Sequence, residues 1–243
     1  MAGRFSGVGR WIRNHKILSV VLLLLSLPAW EILTIPWWNI INLPSENPTR
    51  TSLMRQRIEE AEESQTTLTI RHQWIPLHKL PRHTLDAVIV AEDGTFYSHG
   101  GFDWFEVKES INRNLEEGKA VRGASTITQQ LAKNLYLSTS KTFLRKMKEA
   151  LITVALEEHL SKQRILELYL NVIEWGPGIF GIQAASRHYF GKSAADLTLE
   201  ESLRLAAVIP SPLRYRPDSD RGYVIRRVGL LRDRMIRSGK LKE

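Results

Sequence analysis

The feature that most restricts the fold is an apolar run that begins at Ile17 and extends, with Glu31 near its far end, to residue 36. A helix of this length rises about 30 Å at ~1.5 Å per residue, the thickness of the hydrocarbon core of a bilayer. A buried core helix would need other elements to cover it on all sides, and the basic segment 1–16 cannot do so. We therefore predict a transmembrane anchor over 17–36.

The alternative for this run is a secretory signal peptide that is cleaved off. Cleavage requires small residues just before the cut, and Leu27, two residues before Ala29, does not fit this pattern. We favour the retained anchor for this reason. Basic side chains precede the run, whereas Glu31 and Glu46 follow it, so the positive-inside rule places the tail 1–16 in the cytoplasm and the remainder outside.

Composition and charge exclude several classes of protein. Of the 243 residues, 43% are apolar and 25% are charged, which is typical of folded domains and not of disordered chains. The absence of cysteine excludes disulfide frameworks, thiolate zinc sites and cysteine nucleophiles. The basic excess behind the formal net charge of +8 lies in 1–16 and 204–243, which suits a membrane surface or a phosphorylated substrate. Nucleic-acid binding is disfavoured, because aromatic residues do not interleave with the clustered basic ones.

The rest of the chain has no internal repeat. Helical periodicity with capping signals dominates after Leu80, so we predict a mainly α fold. The C-terminal segment is predicted to be a basic amphipathic helix, either solvated or facing a membrane, whose apolar side consists of Val224, Val228, Leu231 and Met235. The predicted divisions are a basic tail 1–16, the anchor 17–36, a linker and short helix 37–65, the main domain 66–217 and the C-terminal helix 218–243.

Two adjacent carboxylates end a short apolar helix. The helix is predicted to start after Thr84 and to stop at Gly94, which places Glu92 and Asp93 at its C-terminal end. The helix dipole and the neighbouring carboxylate both disfavour ionisation there, so we expect the raised pKa that a general base at neutral pH requires. The alternative is that either carboxylate forms an ion pair with a basic side chain.

Another helix is predicted to start near residue 126. Thr126 and Gln129 have the spacing of a capping box. Free backbone N–H groups at such a start, with the hydroxyls of Ser125 and Thr126, suit a phosphate or a sugar oxygen. Lys133 lies one to two turns further along the helix and would add positive charge to the same cavity.

The clearest amphipathic helix is predicted over 142–160. Arg145 and Lys146 stand four and three residues before Glu149, so ordinary intrahelical ion pairs explain the spacing. The alternative is that the two cations neutralise a departing diphosphate while Glu149 fixes their geometry or helps to handle a proton or a metal. The spacing of these residues does not distinguish the ion-pair interpretation from the diphosphate interpretation. The apolar side of this helix consists of Phe143, Met147, Ala150, Leu151 and Val154.

Four segments together carry a resemblance to a known family. They are Glu92–Gly100, Gly123–Gln130, Arg145–Glu149 and Lys162–Asn171, which read EDGTFYSHG, GASTITQQ, RKMKE and KQRILELYLN. In this order and form they resemble the motifs of the peptidoglycan glycosyltransferases, glycosyltransferase family 51. The resemblance extends over about residues 70–217, and the motif residues show no departure from the family pattern.

The resemblance implies a fold and an activity. The family has a mainly helical, lysozyme-like catalytic domain with a small membrane-proximal subdomain. It polymerises lipid II, a disaccharide-peptide on undecaprenyl diphosphate, with the growing glycan as donor and a new lipid II as acceptor. Transfer inverts the anomeric carbon, forms a β-1,4 bond between MurNAc and GlcNAc and releases undecaprenyl diphosphate. The chain would then lie in the bacterial inner membrane, with its catalytic domain on the outer face.

The resemblance also implies roles for single residues. Glu92 matches the general base that deprotonates the GlcNAc 4-hydroxyl, and Glu149 matches a second family carboxylate on the donor side. The implied substrate-binding residues are Lys133, Arg145 and Lys146 near the diphosphate, and Asp93, Ser125, Thr126 and Gln130 along the saccharide and phosphate path. No metal ligand is identified, and the expected cofactor is Mg²⁺ or Mn²⁺ held largely by the substrate diphosphate, with no organic cofactor. Expected partners are the glycan strand, membrane lipids and proteins of cell-wall synthesis or division.

Length and motifs indicate the subclass. Only a short segment follows residue 217, and the match of Ser138–Lys141 to S-x-x-K is not followed by other transpeptidase motifs. We therefore expect a monofunctional enzyme without a transpeptidase domain. Two alternatives stay open, namely a lytic transglycosylase that cleaves the glycan with a single Glu and a non-catalytic scaffold. The pair of Glu92 and Glu149, with the cations around them, favours synthesis over both.

Overall fold

The computed structural model describes residues 15–117 and 125–242 of the chain. Helices dominate this part, which confirms the predicted mainly α fold. In chain order the helices are α1 (Lys16–Leu33), α2 (Trp37–Asn42), α3 (Ser52–Glu63), α4 (Arg82–Glu92), α5 (Trp104–Glu116), α6 (Ile127–Tyr136), α7 (Phe143–His159), α8 (Lys162–Val172), α9 (Ile182–Phe190), α10 (Leu199–Val208) and α11 (Gly222–Arg237).

A small sheet accompanies the helices. Its strands β1 (Arg71–His72), β2 (Glu174–Gly176) and β3 (Ile179–Phe180) lie in the order β1-β3-β2. β1 runs parallel to β3, and β2 runs antiparallel to it. Directly after β3, Gly181 has a φ of +82°, and a Cβ there would lie 2.6 Å from the carbonyl oxygen of Asn171 in α8. Glycine is required at this point because the sheet meets α8 too closely for a side chain.

Two groups of helices form the domain. α10 packs against α4 and α11, while α6 packs against α3, α7 and α8. Apolar side chains from both groups belong to one buried cluster. The groups meet where the C-terminal end of α4 contacts the start of α6, and this junction positions the carboxylates of Glu92 and Asp93.

The C-terminal helix α11 is part of this core. Val224, Val228, Leu231 and Met235 are all buried, and α11 packs against α4 and α10. The apolar side of the helix therefore faces neither solvent nor a membrane. Its basic residues lie on the remaining sides, and some of them reach the cleft described below.

The N-terminal helix α1 covers most of the predicted anchor. Among the residues that the structure describes, no helix has both the length and the apolar character needed to cross a membrane. α1 contacts α7, where Lys148 forms an ion pair with Glu31 at 3.4 Å and donates a hydrogen bond to the Thr34 hydroxyl at 2.7 Å. The transmembrane anchor over 17–36 stays a prediction.

Helix α7 forms almost where it was predicted, with Thr142 as its N-cap, but it turns a different side to the core. Phe143 and Val154, from the apolar side identified in the sequence, are 77% and 44% exposed. The buried side consists of Glu149, Ile152, Thr153, Ala155 and Leu156. The helix carries apolar residues on two sides, and its packing against α6, with smaller contacts to α1, α2 and α8, determines which of them is covered.

Candidate active site

A cleft of about 670 Å³ opens where α4, α6 and α11 approach one another. It brings together most of the residues that the sequence singled out. Its walls include Glu92, Asp93, Ser125, Thr126, Gln130 and Lys133, together with Thr95, Asp103, Arg227 and Arg234. The lining of the cleft is mainly polar and charged.

Glu92 ends α4 with its side chain almost entirely buried in the cleft wall. One carboxylate oxygen accepts a hydrogen bond of 2.8 Å from the Gln130 amide, and the other lies 3.8 Å from the Arg227 guanidinium. Burial raises the pKa of Glu92, against the opposing effects of Gln130, Arg227 and Lys133. The predicted direction is confirmed, but burial is the main cause, and the charge of Asp93 contributes least of these.

Tyr169 orients the amide that faces Glu92. Its hydroxyl donates a hydrogen bond of 3.0 Å to the Gln130 Oε1, which leaves the Gln130 NH₂ group directed at the carboxylate. Tyr169 is fully buried, and burial raises its pKa well above the ordinary value, so the hydroxyl remains a donor. Tyr169 was not among the residues predicted for the site, although it lies within the Lys162–Asn171 motif.

Asp93 lies in the cleft wall, and both of its carboxylate oxygens have partners within the protein, one of them at the start of α6. One of its oxygens faces the His99 Nε2 at 2.9 Å, and the other accepts a hydrogen bond of 3.0 Å from the backbone N–H of Ile127. An anion at the N-terminus of a helix is stabilised by the helix dipole. The geometry therefore favours a structural role for Asp93 over direct contact with substrate.

The predicted capping box at the start of α6 is confirmed. The Thr126 hydroxyl accepts a hydrogen bond from the Gln129 backbone N–H and donates one to the carbonyl oxygen of Gly101. The Gln129 side chain accepts one from the Thr126 N–H. The amides of Thr126, Ile127 and Gln129 are thus hydrogen-bonded within the protein, so a phosphate at this helix start would not bind to these three; the phosphate site itself stays a prediction.

A second charged group lies next to the cleft on α7. The buried carboxylate of Glu149 forms ion pairs with both Arg145 and Lys146, as the spacing suggested. Lys146 also lies 3.3 Å from the hydroxyl of Ser125, which lines the cleft. This contact joins the two groups of charges.

Lys133 lines the cleft near both carboxylates. Burial lowers its pKa, while the negative charges of Glu149 and Glu92 raise it and the neighbouring cations Arg145 and Lys146 lower it. Each of these four residues is therefore close enough to act on Lys133 electrostatically. The partly buried Lys133 is thus coupled electrostatically to both Glu92 and Glu149.

Arg227 is a cleft residue that the sequence analysis missed. Its guanidinium faces Glu92, and its Nε is buried without a hydrogen-bond partner in the described part of the chain. A signal for it was present, because Arg227 stands three residues after Val224 and four before Leu231, beside the apolar stripe of α11. A charged residue that close to a buried stripe is rarely free in solvent.

One group of side chains near the cleft has the spacing of a metal site. Oxygen or nitrogen atoms of Asp93, His99 and Asp103 lie within 4.8 Å of one another. These atoms already bond within the protein, since the His99 Nδ1 accepts from the Gly101 N–H and Asp103 accepts from the Glu106 N–H. The group is a hydrogen-bonded network at the end of α4, and we assign no metal to it.

Comparisons with known proteins cover most of the chain. A family model described as Transglycosylase matches residues 59–236. A protein of Aromatoleum aromaticum named biosynthetic peptidoglycan transglycosylase is 50% identical over 169 residues, 70% of this chain and 74% of that protein. Proteins of the same name from Azoarcus sp. and Dechloromonas aromatica are 43% and 41% identical, over 85% and 86% of this chain and 87% of each relative.

Proposed function

The chain belongs to the transglycosylase family and works as a peptidoglycan transglycosylase, and on this premise we propose that it polymerises lipid II into linear glycan strands. Nothing in the matches indicates a transpeptidase domain in this chain. The proposal includes a lysozyme-like arrangement of the catalytic helices with a small membrane-proximal subdomain. The observation that carries it is the buried Glu92, whose pKa is raised and whose carboxylate opens into a cleft lined with cations.

In this mechanism Glu92 is the general base. It takes the proton from the 4-hydroxyl of the acceptor GlcNAc while that oxygen attacks C1 of the donor MurNAc. The bond from C1 to the diphosphate oxygen breaks, the configuration at C1 inverts, and undecaprenyl diphosphate leaves. A base with a raised pKa is suited to deprotonating a hydroxyl group, because it holds the transferred proton at neutral pH. The Gln130 amide holds the carboxylate in place.

The cations around Glu149 form the donor side of the proposed site. Negative charge develops on the departing diphosphate, and Lys133, Arg145 and Lys146 are available to stabilise it. Glu149 keeps Arg145 and Lys146 ordered before the substrate binds. Ser125, Thr126 and Gln130 are neutral polar residues of the cleft wall, and in this proposal they line the saccharide path. Any Mg²⁺ or Mn²⁺ is held mainly by the substrate diphosphate, and no organic cofactor takes part.

Exposed apolar side chains support an association with the membrane that carries lipid II. On α5, the exposed apolar residues are Trp104, Phe105, Ile111 and Leu115. On α7, Phe143 and Leu144 are also exposed. Such residues on the catalytic domain suit contact with lipid, as does the proposed anchor over 17–36. We place the protein in the inner membrane as a single-pass protein with residues 1–16 in the cytoplasm.

The direct test is to incubate the detergent-solubilised full chain with labelled lipid II and a divalent cation and to separate the products on a gel. We expect a ladder of glycan polymers that muramidase digests. Shortened anhydro-sugar fragments from added glycan would instead indicate a lytic transglycosylase. No product from lipid II or from the added glycan would indicate a non-catalytic scaffold. The lytic result and the absence of any product would each contradict the proposal.

Replacing Arg227 with Met should move the acidic limb of the kcat/KM profile to higher pH. The Arg227 charge lowers the pKa of Glu92, so its removal raises that pKa, and the base then remains protonated to higher pH. The profile is measured for polymerisation over pH 5 to 9. Arg226→Met, an exposed change on the same helix, is the control. An unchanged limb in Arg227→Met would refute electrostatic contact with the base.

Replacing Tyr169 with Phe should reduce kcat about tenfold and move the acidic limb of the kcat/KM profile to higher pH. Without the phenol, the Gln130 Oε1 loses its donor, and the amide is free to turn its oxygen toward Glu92. The hydrogen bond that stabilises the ionised carboxylate is then lost, so the pKa of Glu92 rises further. Tyr136→Phe is the matched control, since its hydroxyl has no hydrogen-bond partner among the described residues. Loss of kcat without a shift of the limb would point to altered packing alone.

A further inference from the structure

A second cavity lies apart from the cleft, and its lining includes Arg71, Arg214, Arg216 and Arg221. It has a volume of about 710 Å³ and shares no lining residue with the cleft. A smaller pocket of about 380 Å³ adjoins it through Arg71 and His188. We call the two together the basic groove, whose charged or titratable residues are Arg71, Arg187, His188, Arg214, Arg216, Arg221 and Asp218, with His72 at one end.

The groove has more cations than the protein neutralises. Arg216 forms an ion pair with Asp218 at 2.7 Å. Arg71 donates a hydrogen bond of 2.8 Å to the Nδ1 of His188, which is therefore neutral. Arg214 and Arg221 have no carboxylate partner in the part of the chain that the structure describes, and both are exposed. The groove thus presents unpaired positive charge to a ligand.

The backbone along the groove is the edge of the small sheet. In the order β1-β3-β2, β1 pairs with β3 on one side only. The Arg71 N–H donates to the carbonyl oxygen of Gly178, so the amide of the next residue, His72, faces the opposite side. Residues 70–73 form one wall of the smaller pocket, and α9 forms the other. A chain that entered this pocket in extended form would meet the unpaired edge of β1.

We propose that the basic groove binds an extended acidic segment of a partner protein, which adds a strand to the edge of β1. Backbone pairing explains the position of the pocket along a sheet edge, and the arginines select acidic side chains. Leu68, Ile179 and Leu213 give the larger cavity an apolar floor for alternate residues of such a strand. A phosphate alone would use the arginines but neither the edge nor the apolar floor.

The proposal is tested by fluorescence anisotropy with the full chain in detergent and a labelled peptide of alternating Glu and Val, about ten residues long. We expect saturable binding at physiological salt. Two matched peptides separate the contributions, one with Gln in place of every Glu and one with alternate backbone nitrogens methylated. Both should bind at least about tenfold more weakly, because the first loses charge and the second loses backbone pairing.

Variants of the protein locate the site. The double change Arg214→Glu and Arg221→Glu should weaken peptide binding about tenfold or more while leaving polymerisation of lipid II unchanged. Arg237→Glu, an exposed charge reversal outside the groove, should do neither. Hydrogen exchange of residues 70–73 should slow when the peptide is bound.

Three results would overturn the proposal. Equal binding of the methylated peptide would exclude strand addition, and equal binding by the double variant would exclude the groove. Competition by inorganic phosphate or by the stem peptide of peptidoglycan, at the same concentration as the acidic peptide, would indicate a small-anion or substrate site. Because polymerisation is measured separately, failure here is distinguishable from failure of the proposed enzyme activity.

Discussion

Replacing Glu92 with Gln is expected to reduce polymerisation of lipid II by at least about a hundredfold, the effect of losing a positioned general base. Gln has nearly the same volume and keeps a hydrogen-bonding partner for Gln130, so binding of lipid II should persist. The rate is measured by gel separation of the labelled polymer, and binding is measured separately on the same preparation. Activity close to that of the wild type would remove Glu92 from the mechanism.

The same substitution should leave the protein as stable as before or more stable. Burial raises the pKa of Glu92 in the folded protein, so its ionised form destabilises the fold at pH values above that pKa. Gln carries no such cost. The melting temperature of Glu92→Gln should therefore equal or exceed that of the wild type near pH 8. The difference should vanish as the pH falls below the unfolded-state pKa of about 4.3. Glu59→Gln, an exposed change on α3, is the control for both activity and stability.

Reversing the charge of Arg145 is the second substitution with a large expected effect. Arg145→Glu places a carboxylate where the proposed diphosphate leaves, so polymerisation should fall about a hundredfold or more. The substitution should impair use of the donor more than use of the acceptor, because the acceptor hydroxyl reacts at Glu92. A short glycan on undecaprenyl diphosphate as donor and lipid II as acceptor allow the KM of each to be measured separately.

Two further variants distinguish loss of the diphosphate contact from loss of stability or a change in net charge. Arg145→Glu also brings a like charge to the buried Glu149 and so lowers stability, whereas Arg145→Gln avoids this repulsion and should show the same preference for the donor at a smaller magnitude. Lys108→Glu changes the net charge equally at an exposed position on α5 and should have little effect. Equal losses for donor and acceptor in Arg145→Gln would contradict the diphosphate role.

Features encoded by local spacing were predictable from the sequence. The capping box of Thr126 and Gln129 and the ion pairs of Glu149 depend on residues within four positions, and the structure contains both. The position of Glu92 at a helix end was likewise predicted. Local chain geometry alone determines such contacts, so no knowledge of the tertiary fold is needed.

Contacts between distant segments could not be predicted in this way. The hydrogen bond from Ile127 to Asp93 gives a predicted substrate ligand a structural role as well, and it forms only because the end of α4 meets the start of α6 in the fold. Arg227 reaches Glu92 because α11 returns to α4. Nor does amphipathicity indicate which apolar side of α7 is covered, since the pattern contains two apolar sides and the covered one depends on the helices that pack against α7.

The exposed aromatic residues at the start of α5 also bear on which measure of substrate concentration sets the reaction rate. If Trp104 and Phe105 lie in the lipid layer, enzyme and lipid II meet by lateral diffusion in two dimensions. The rate then depends on the mole fraction of lipid II in the bilayer and not on its amount per volume. Diluting proteoliposomes with buffer should leave the turnover per enzyme unchanged, whereas diluting the lipid II with inert phospholipid should slow it in proportion.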